Sequence, residues 1–400
     1  MINTTYKQTA IGLIPSDWEV KKIKEIGDVS SGGTPDTTKI KYWNGDINWC
    51  TPTDITALKN KFLGDTKTKI TEEGLKNSSA KILPPFSIIV CTRATIGKAA
   101  INTVPMSTNQ GFKNIIPKNI DTDFLYYKII SEEKGLIKIA NGSTFLEVSK
   151  TDFDNFQLIL PPIPEQQKIA LILSTWDVAI DNCRNIIDNL KNRNIGLARQ
   201  LLSGKKRLKG FEKSQWHLKS VEEVAVFKNG KAHENCIDED GDYFVVNSKF
   251  ISTQGRVAKA SNENLCPLFK NDITMVMSDI PNGKAFAKCF YIPKDNKYTL
   301  NQRICALAAR NGTDSKFLYY QMNRNNYYLA FNNGVSQTNL KKEEVLECPL
   351  LMPDIEEQIQ IVKIIDTANE ELNQYQQKLE TLQLQKKGLM QQLLTGKTRV

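Results

Sequence analysis

The chain has 400 residues, of which 40% are apolar and 24% charged, an ordinary globular composition with room for two or three domains. No apolar run approaches the roughly 18 residues that a membrane-spanning helix needs. The N-terminal sequence MINTTYKQTA lacks the basic and apolar regions of a signal peptide. These features argue against membrane and secreted proteins, so we predict a cytoplasmic protein.

The formal net charge of +9 is concentrated in one segment of the chain. Residues 161–210 hold nine Lys and Arg against four Asp and Glu, and they include the basic run KKR at 205–207 with Lys209 close behind. This run is consistent with contacts to phosphate groups and equally with a solvated linker. Net charge therefore permits nucleic-acid binding without establishing it.

The cysteines and histidines give no sign of a catalytic or metal site. No two of the eight cysteines form a CxxC pair, and without a secretion signal buried free thiols are expected rather than disulfides or zinc ligands. His217 and His233 are the only histidines, and neither has a partner nearby in sequence for acid–base chemistry. We predict no catalytic residue and no metal ligand.

Each half of the chain opens in the same way. In the first half, Trp18 precedes the apolar residues Ile23 and Ile26, which predicts an extended arm running into a short amphipathic element. A Ser-Ser-Gly-Gly sequence then breaks the pattern. The second half restarts with Trp216 and Val224 in the same relation, followed by Lys-Asn-Gly.

Paired segments follow in both halves. The strings SIIVC (87–91) and DITMVM (272–277) predict buried strands, each ending in a polar turn that contains Gly-Lys, at Lys98 and Lys284. Downstream, STNQ (107–110) matches TLNQ (299–302) at an offset of 192 residues, and the string FLYY starts a predicted helix in each half. The chain is therefore interpreted as an internal duplication.

Each half ends in one long predicted helix with a proline-rich entry, the first from Glu165 to Leu202 and about 57 Å long. Apolar residues in these helices alternate steps of four and three, the repeat of a helix that packs along another helix. The two seams, which correspond at an offset of 192, are Trp176, Ile180, Cys183, Ile187, Leu190, Asn194, Leu197 and Leu201, and Ala368, Leu372, Tyr375, Leu379, Leu382, Lys386, Leu389 and Leu393.

These patterns predict a mixed α/β protein with two similar globular modules and two long helices. The expected segments are a first module (1–160), a first helix with linker (161–210), a second module (211–350) and a second helix (351–400). A pseudo-two-fold duplication would pair the helices as an antiparallel coiled coil, with Asn194 and Lys386 fixing the register. The alternative is that each helix packs on its own module.

Two unlike modules, each followed by a helix that begins with Glu-Gln and ends in LLSGK or LLTGK, resemble the specificity subunit of a type I restriction–modification system. The resemblance covers nearly the whole chain. It is strongest in IPSDWEVKKIKEI (14–26), LPPIPEQQKIA (160–170) and LMPDIEEQIQIV (351–362), and it extends to the strings TIGKAA and TNQGF.

The resemblance implies target recognition domains that each read one half of a split site in double-stranded DNA. It also implies helices that space the halves and bind methyltransferase subunits, with two such subunits expected. Restriction subunits complete the implied complex, and no membrane is involved. S-adenosylmethionine, ATP and magnesium are expected in those partner subunits, and no cofactor is expected in this chain.

A rigid spacer can place two modules on DNA segments about one helical turn apart, roughly 34–36 Å, and unlike modules would read an asymmetric site. Amide and basic side chains on polar turns can pair with base edges. The candidate DNA-binding residues are Arg93, Lys98, Asn109, Gln110, Asn282, Lys284, Asn301, Gln302 and Arg303.

The alternative for the repeated Asn-Gln is that it braces a turn inside each module. Because Asn-Gln and Gly-Lys occur in both copies, architecture or backbone contact is the favoured role for them. Residues that differ between the copies, such as Arg93 against Asp279, are better candidates for reading bases.

Two other functions compete with DNA recognition. A self-sufficient methyltransferase or nuclease is disfavoured, because LPPF at 83–86 lacks the asparagine of the methyltransferase NPPF motif and no glycine-rich cofactor loop follows a strand. The GKT sequence at 396–398 lacks the upstream glycine of a phosphate-binding loop. A coiled-coil scaffold without DNA binding is the second rival.

Overall fold

The computed structural model describes residues 5–142, 146–280, 283–332 and 337–400. The chain divides into two compact units, Met1–Ile187 with Tyr375–Val400, and Asp188–Gln374. Each unit contains one α/β module and a portion of both long helices.

The first unit begins with an arm of short strands and ends its module at a proline-led helix. Its strands are β1 Tyr6–Thr9, β2 Gly12–Pro15, β3 Glu19–Lys22, β4 Gly27–Ser31, β5 Trp43–Cys50, β6 Phe62–Leu63, β7 Lys69–Ile70, β8 Ile88–Cys91, β9 Ala99–Asn102, β10 Ser107–Thr108, β11 Phe112–Pro117 and β12 Gln157–Leu160. Its helices are α1 Ile23–Ile26, α2 Pro52–Ala57, α3 Glu72–Lys76, α4 Thr122–Ser131, α5 Glu133–Ile139, α6 Lys150–Asn155 and the start of α7 Ile163–Leu202, and a 3-10 turn covers Ile40–Tyr42.

A five-stranded sheet in the order β4-β11-β8-β9-β6 forms the centre of the first module, and a second sheet has the order β10-β5-β7. Strand β8 is fully buried because other elements cover both of its faces, as its unbroken apolar sequence predicts. Helix α4 contributes Phe124 and Leu125 to the same core as Ile88 and Val90 of β8. The predicted buried strand and the helix beginning at FLYY are both confirmed.

The second unit repeats this architecture. Its strands are β13 His217–Ser220, β14 Ala225–Asn229, β15 Tyr243–Val246, β16 Lys259–Ser261, β17 Ile273–Val276, β18 Ser278–Asp279, β19 Cys289–Tyr291, β20 Tyr298–Leu300, β21 Ile304–Ala309, β22 Thr338–Asn339 and β23 Pro349–Met352. Its helices are α8 Val221–Val224, α9 Ser248–Ser252, α10 Ser315–Met322, α11 Asn326–Leu329, α12 Lys342–Leu346 and the start of α13 Ile355–Leu393, and a 3-10 turn covers Glu234–Cys236.

The strand orders of the two modules correspond. The sheet β14-β21-β17-β19 reproduces the order β4-β11-β8-β9, and the parallel pair β15·β20 reproduces β5·β10. The arm strand pairs with the strand that precedes the long helix in both modules, β3 with β12 and β13 with β23. The predicted duplication of a mixed α/β module is confirmed at the level of topology.

Both long helices are present with nearly the predicted bounds. Helix α7 begins at Ile163, two residues before the predicted start, and the carbonyl of Pro162 accepts the N–H groups of Glu165 and Gln166. In the first unit α7 contacts α13 through the Cys183 thiol, which donates to the Tyr375 carbonyl over 3.5 Å. The helices therefore do not pack on the modules alone.

The same two helices also contact each other in the second unit. The Asn194 amide donates to the Ala368 carbonyl over 2.7 Å, and Arg193 pairs with Glu371 at 2.6 Å. Every predicted seam position is buried or half-buried. The polar seam residue Asn194 thus forms a specific hydrogen bond inside the helix contact instead of remaining unsatisfied.

Seven of the eight cysteines are buried, Cys236 is half-buried, and all eight are free thiols. Burial raises the pKa of Cys91 and Cys348 to about 11, which keeps these thiols protonated near neutral pH. Within the described ranges, no helix combines the length and apolarity that a membrane crossing requires. In the same residues, no group of three or more His, Cys, Asp or Glu is placed to hold a metal ion.

Candidate nucleic-acid interface

The turn after β8 carries Arg93 and Lys98, and backbone hydrogen bonds define its counterpart in the second unit. Cys91 N–H donates to the Lys98 carbonyl over 2.8 Å, and Val276 N–H donates to the Lys288 carbonyl over 3.0 Å. The second turn is longer, with eleven residues between its two bonded positions against six in the first. Lys98 therefore corresponds to Lys288. The predicted match between Lys98 and Lys284 is wrong, because the extra residues shift the shared Gly-Lys string along the turn.

The strand registers also correct the predicted counterpart of Arg93. Cys91 lies opposite Phe112, just as Val276 lies opposite Ile304, so Cys91 and Val276 are equivalent. Arg93, two residues further on, therefore matches Ser278 and not Asp279. The β-bridges of these two residues agree with this match. Arg93 pairs with Glu147 and Ser278 pairs with Asn339, and Asn339 lies 192 positions after Glu147.

Asp279 has an internal role that the comparison of strings did not reveal. Its carboxylate accepts three backbone N–H groups of its own turn, from Ile280, Ala285 and Phe286, over 2.7–3.0 Å. These bonds use the acceptor capacity of the side chain to hold the turn together. We therefore do not retain Asp279 as a candidate for reading bases.

The Asn-Gln pair of the first unit lies beside Arg93. The Asn109 side chain accepts the N–H of Gly111 over 2.9 Å, and exposed Gln110 accepts a hydrogen bond from the Thr34 hydroxyl. A Cβ atom placed on Gly111 would lie 3.7 Å from the Cβ of Arg93. The structure thus brings Arg93, Asn109 and Gln110 together, whereas exposed Lys98 lies at the far end of its turn.

In the second unit the Asn-Gln pair is followed directly by Arg303, which occupies the position of Gly111 and not that of Arg93. Arg303 is exposed with a φ of +66°, and its carbonyl accepts the N–H of Met277 over 3.1 Å. Gln302 is exposed and donates to Glu234 over 2.6 Å, while the Asn301 side-chain oxygen is buried without a partner among the described residues. Exposed Lys284 lies in the longer turn. Asn282, the remaining candidate, lies outside the described residues.

Gly32 and Gly230 lie directly against the backbone of the two asparagines. From the sequence alone, these glycines were interpreted only as breaks in the apolar pattern. A Cβ atom on Gly32 would lie 1.8 Å from the Asn109 carbonyl oxygen, and one on Gly230 would lie 1.9 Å from that of Asn301. Only glycine permits this approach at either position. The repeated Gly near the end of β4 and β14 is the sequence signal that could have identified them.

The long helices carry a second set of paired contacts where they join the modules. Glu165 accepts the indole N–H of Trp18 over 3.0 Å and two bonds from Arg399 over 2.7–2.8 Å. In the second unit, Glu357 accepts the indole N–H of Trp216 over 3.0 Å and two bonds from Arg207 over 2.9–3.1 Å.

These contacts explain why Trp and Glu recur at matching positions in the two halves. They also assign Arg207, within the basic run at 205–207, to an intramolecular ion pair. The sequence suggested that this run either contacts phosphate groups or forms a solvated linker. Neither description fits Arg207, which is paired with Glu357.

The neighbouring glutamines fix the helix entry to the module. Gln166 donates to the Pro161 carbonyl over 2.8 Å and accepts the N–H of Asp121, which caps α4, over 3.0 Å. Gln358 makes the same two bonds, to Pro353 and Asp314, over 2.8 Å each. Both glutamines are buried, so the Glu-Gln pair sets the direction in which each helix leaves its module.

Comparisons with known proteins agree with this duplicated architecture. A family model described as the type I restriction modification DNA specificity domain matches residues 15–192 and 213–383. The chain is 43% identical over 182 residues to the specificity subunit of the type I restriction enzyme MjaIX of Methanocaldococcus jannaschii. That match covers 45% of this chain and 42% of the relative, so it spans less than half of each protein.

More distant similarity extends over the full length. The MjaVIII specificity subunit of the same organism is 23% identical over 421 residues, covering 97% of this chain and 94% of the relative. The crystal structure of a type I restriction–modification S subunit from M. genitalium superposes with a TM-score of 0.55 at 17% identity, covering 98% of this chain and 97% of that one. The fold is therefore shared along the whole chain.

Proposed function

Because the chain belongs to the type I restriction modification DNA specificity domain family, we propose that it is the DNA-recognition subunit of a type I restriction–modification complex. Each module binds one half of a divided site in double-stranded DNA. The observation that carries the proposal is that each module groups an Asn-Gln pair with an arginine. These are Asn109 and Gln110 with Arg93 in one module, and Asn301 and Gln302 with Arg303 in the other, although the two arginines occupy different positions. Their guanidinium and amide groups suit base edges in the major groove.

The DNA site is asymmetric in this proposal because the two modules differ in the turn that carries Arg93. The turn carrying Arg93 is five residues shorter than its counterpart, and Arg93 itself is replaced by Ser278. Ser278 is buried, and its hydroxyl forms hydrogen bonds with Asn339 and Gln337, so it cannot make the base contact proposed for Arg93. The shared Asn-Gln pair, braced against Gly32 and Gly230, holds the turn in both modules, and Arg93 together with the unequal turns discriminates between sequences.

The two long helices serve as the spacer, as an antiparallel coiled coil. This arrangement is supported by contacts within each unit, since Asp177 and Cys183 of α7 meet Lys386 and Tyr375 of α13 in the first unit. In the second unit Asn194 meets Ala368. Residue numbers on one helix fall as those on the other rise. The functional segments are residues 1–160 and 211–350 for recognition and 161–210 and 351–400 for spacing.

Catalysis is assigned to partner subunits. Two methyltransferase subunits and the restriction subunits would bind S-adenosylmethionine, ATP and magnesium, and this chain would contribute specificity alone. The long helices leave large apolar side chains in contact with solvent, including Leu171 and Leu384, which are 69% and 71% exposed. Single exposed apolar residues are common on protein surfaces, so the assignment of the helices as the docking surface for the methyltransferase rests on the family to which the chain belongs.

The proposal is tested by expressing the chain with its methyltransferase subunit in a host that lacks other adenine methylation, followed by methylome sequencing. We expect methylation at a split, asymmetric site with a fixed gap. Methylation at a continuous palindrome would overturn the proposal, as would methylation by the isolated chain. Exchange of residues 211–350 with the same segment of a relative should change one half-site and leave the other intact.

A further inference from the structure

The first unit contains a basic cleft that the candidate interface does not include. The cleft has a volume of about 550 Å³ and lies between the module and the two long helices of that unit. Among the described residues that line it, Asp177 is the only carboxylate. Six basic residues line it: Lys59, Lys61, Lys98, Arg184, Lys386 and Lys387.

Internal contacts neutralise only part of this charge. Asp177 is paired with Lys386 and accepts the Tyr127 hydroxyl over 2.5 Å, so its negative charge is already used. Burial raises the pKa of Tyr127, which therefore remains a hydroxyl donor. Lys61 is paired with Asp123, outside the cleft lining, at 2.6 Å.

The remaining basic groups are available to a ligand. The side chains of Lys59, Lys98 and Lys387 are exposed and have no ion-pair or hydrogen-bond partner in the part of the chain that the structure describes. Arg184 is held at the wall by Asp181, at 2.9 Å, and by the Lys59 carbonyl, at 2.8 Å. Three exposed lysines without a paired carboxylate in the lining give the cleft a positive potential that attracts anions.

The corresponding cleft of the second unit has a different charge. It is lined by Tyr319 and Tyr320, the counterparts of Tyr126 and Tyr127, but its charged residues are Lys316, Asp366 and Glu370. The helix positions show the same contrast in the sequence. The residues 192 positions from Arg184, Lys386 and Lys387 are Gln376, Asn194 and Ile195, all of them uncharged. At these three helix positions the duplicated architecture therefore accommodates uncharged residues, whereas Lys98 has a basic counterpart in Lys288.

We propose that the basic cleft of the first unit binds the sugar–phosphate backbone of DNA without regard to sequence, an inference that rests on the proposed DNA-recognition function. Lys98 lines the cleft and lies on the same turn as Arg93, which places one wall of the cleft on an element that also carries a candidate base-reading residue. Lysine ammonium groups on flexible stems suit phosphate contacts, which add affinity and orientation but no sequence information. Because the second cleft lacks this charge, the two halves of the site contribute unequally to affinity.

The test is a triple variant, K59A/K98A/K387A, in the full-length chain bound to its methyltransferase subunit. These three lysines have no ion-pair or hydrogen-bond partner among the described residues, so their removal breaks no such bond there. The matched control is K24A/K168A/K397A, which removes the same charge from exposed lysines on other elements. Affinity for a duplex bearing the methylated site and for an unrelated duplex is measured between 50 and 300 mM salt, alongside the melting temperature.

Three lost phosphate contacts should weaken binding to both duplexes by at least about tenfold at moderate salt and lower the salt slope of log K by about 2–3. The methylated sequence should stay the same, and the control triple should retain the wild-type slope. An unchanged slope with intact site-specific binding would overturn the cleft proposal and leave the proposed function standing.

Other outcomes would also contradict the proposal that the cleft binds DNA. Equal losses of DNA affinity in the two triple variants would show that overall charge explains the effect, and would reject a specific site. Loss of the methyltransferase subunit, with DNA binding unchanged, would assign the cleft to an acidic segment of that partner and reject the DNA proposal. Absence of DNA binding by the wild-type complex would instead reject the proposed function itself.

Discussion

The guanidinium group of Arg399, one residue from the end of the chain, donates two hydrogen bonds to the buried carboxylate of Glu165 in the first turn of α7. The pair is separated by 234 residues in sequence. In the second unit, Arg207 follows the end of α7 and binds Glu357 in the first turn of α13. Each module is thus attached through a tryptophan–glutamate–arginine cluster that involves the start of one long helix and the residues after the other.

The first prediction concerns this cluster. Arg399→Ala removes the cationic partner of a buried carboxylate, leaving only the Trp18 indole N–H as a donor from the cluster. We expect the free energy of unfolding of the first unit to fall by about 2–3 kcal/mol, because an uncompensated buried charge is costly. Thermal denaturation should show a melting temperature lowered by roughly 5–10 °C. Lys397→Ala, at an exposed neighbouring residue, should have almost no effect. Equal melting temperatures for both variants would contradict the role of the cluster.

The second prediction concerns pH. Hydrogen bonds from Arg399 to Asp17 hold the pKa of this carboxyl below its ordinary value of 3.8. A carboxyl with a lowered pKa in the folded state stabilises the protein at pH values above its unfolded pKa. That stability is lost as the pH falls through the lowered pKa. The melting temperature of Asp17→Asn should therefore be below that of the wild type at pH 7, and the difference should shrink below pH 3.8.

A suitable control for this titration is Asp46→Asn, which changes an exposed aspartate without a described ion pair. Its melting temperature should follow that of the wild type across the same range. A difference between Asp17→Asn and wild type that stays constant down to pH 2 would show that the Arg399 contact is not linked to protonation of Asp17.

Apolar residues at steps of four and three predicted the long helices, and a continuous apolar run predicted the buried strand at Ile88–Cys91. The duplication was predicted from strings that recur at a fixed offset. The counterparts of Arg93 and Lys98 were predicted wrongly, because two turns of unequal length were compared by their residues alone. The partner of Arg207 lies 150 residues away, and an ion pair between distant residues leaves no local pattern. Strand register and long-range contacts therefore needed the folded chain.

The third prediction concerns the two glycines behind the Asn-Gln pairs. Gly32→Ala would force the backbone of Asn109 to move, since the new methyl group would overlap its carbonyl oxygen. The expected cost is about 1–3 kcal/mol of unfolding free energy together with loss of specificity at one half-site. Gly230→Ala should do the same to the other half-site. Gly64→Ala, whose methyl group would lie 3.1 Å from a Thr103 hydroxyl, is the control and should leave methylation unchanged.

The fourth prediction concerns glycines inside the long helices. A methyl group on Gly196 or Gly388 would meet no atom within 4 Å, and both residues lie within helices. Replacement by Ala should stabilise the protein by about 0.5–1 kcal/mol per site, because glycine loses more backbone entropy on helix formation. Denaturant unfolding of the single variants measures this gain. A lower stability would contradict the open surroundings of these positions. A stable variant that loses its methyltransferase subunit would show that the partner approaches the helix backbone there.

The last prediction distinguishes base reading from bracing at the turn after β8. Arg93→Ala should relax the sequence requirement at one position of one half-site, by about 1–3 kcal/mol of discrimination, because a base contact is lost while the turn keeps its backbone hydrogen bonds. Methylome sequencing with the partner methyltransferase measures this change, and unchanged melting temperature shows that the module remains folded. Ser278→Ala, at the structural counterpart, removes a buried hydroxyl that bonds Asn339 and Gln337, so we expect a lower melting temperature without a relaxed base position. Lys24→Ala should change neither property. An unchanged methylation site in Arg93→Ala would remove Arg93 from the base-reading group and leave the unlike turns to discriminate by shape.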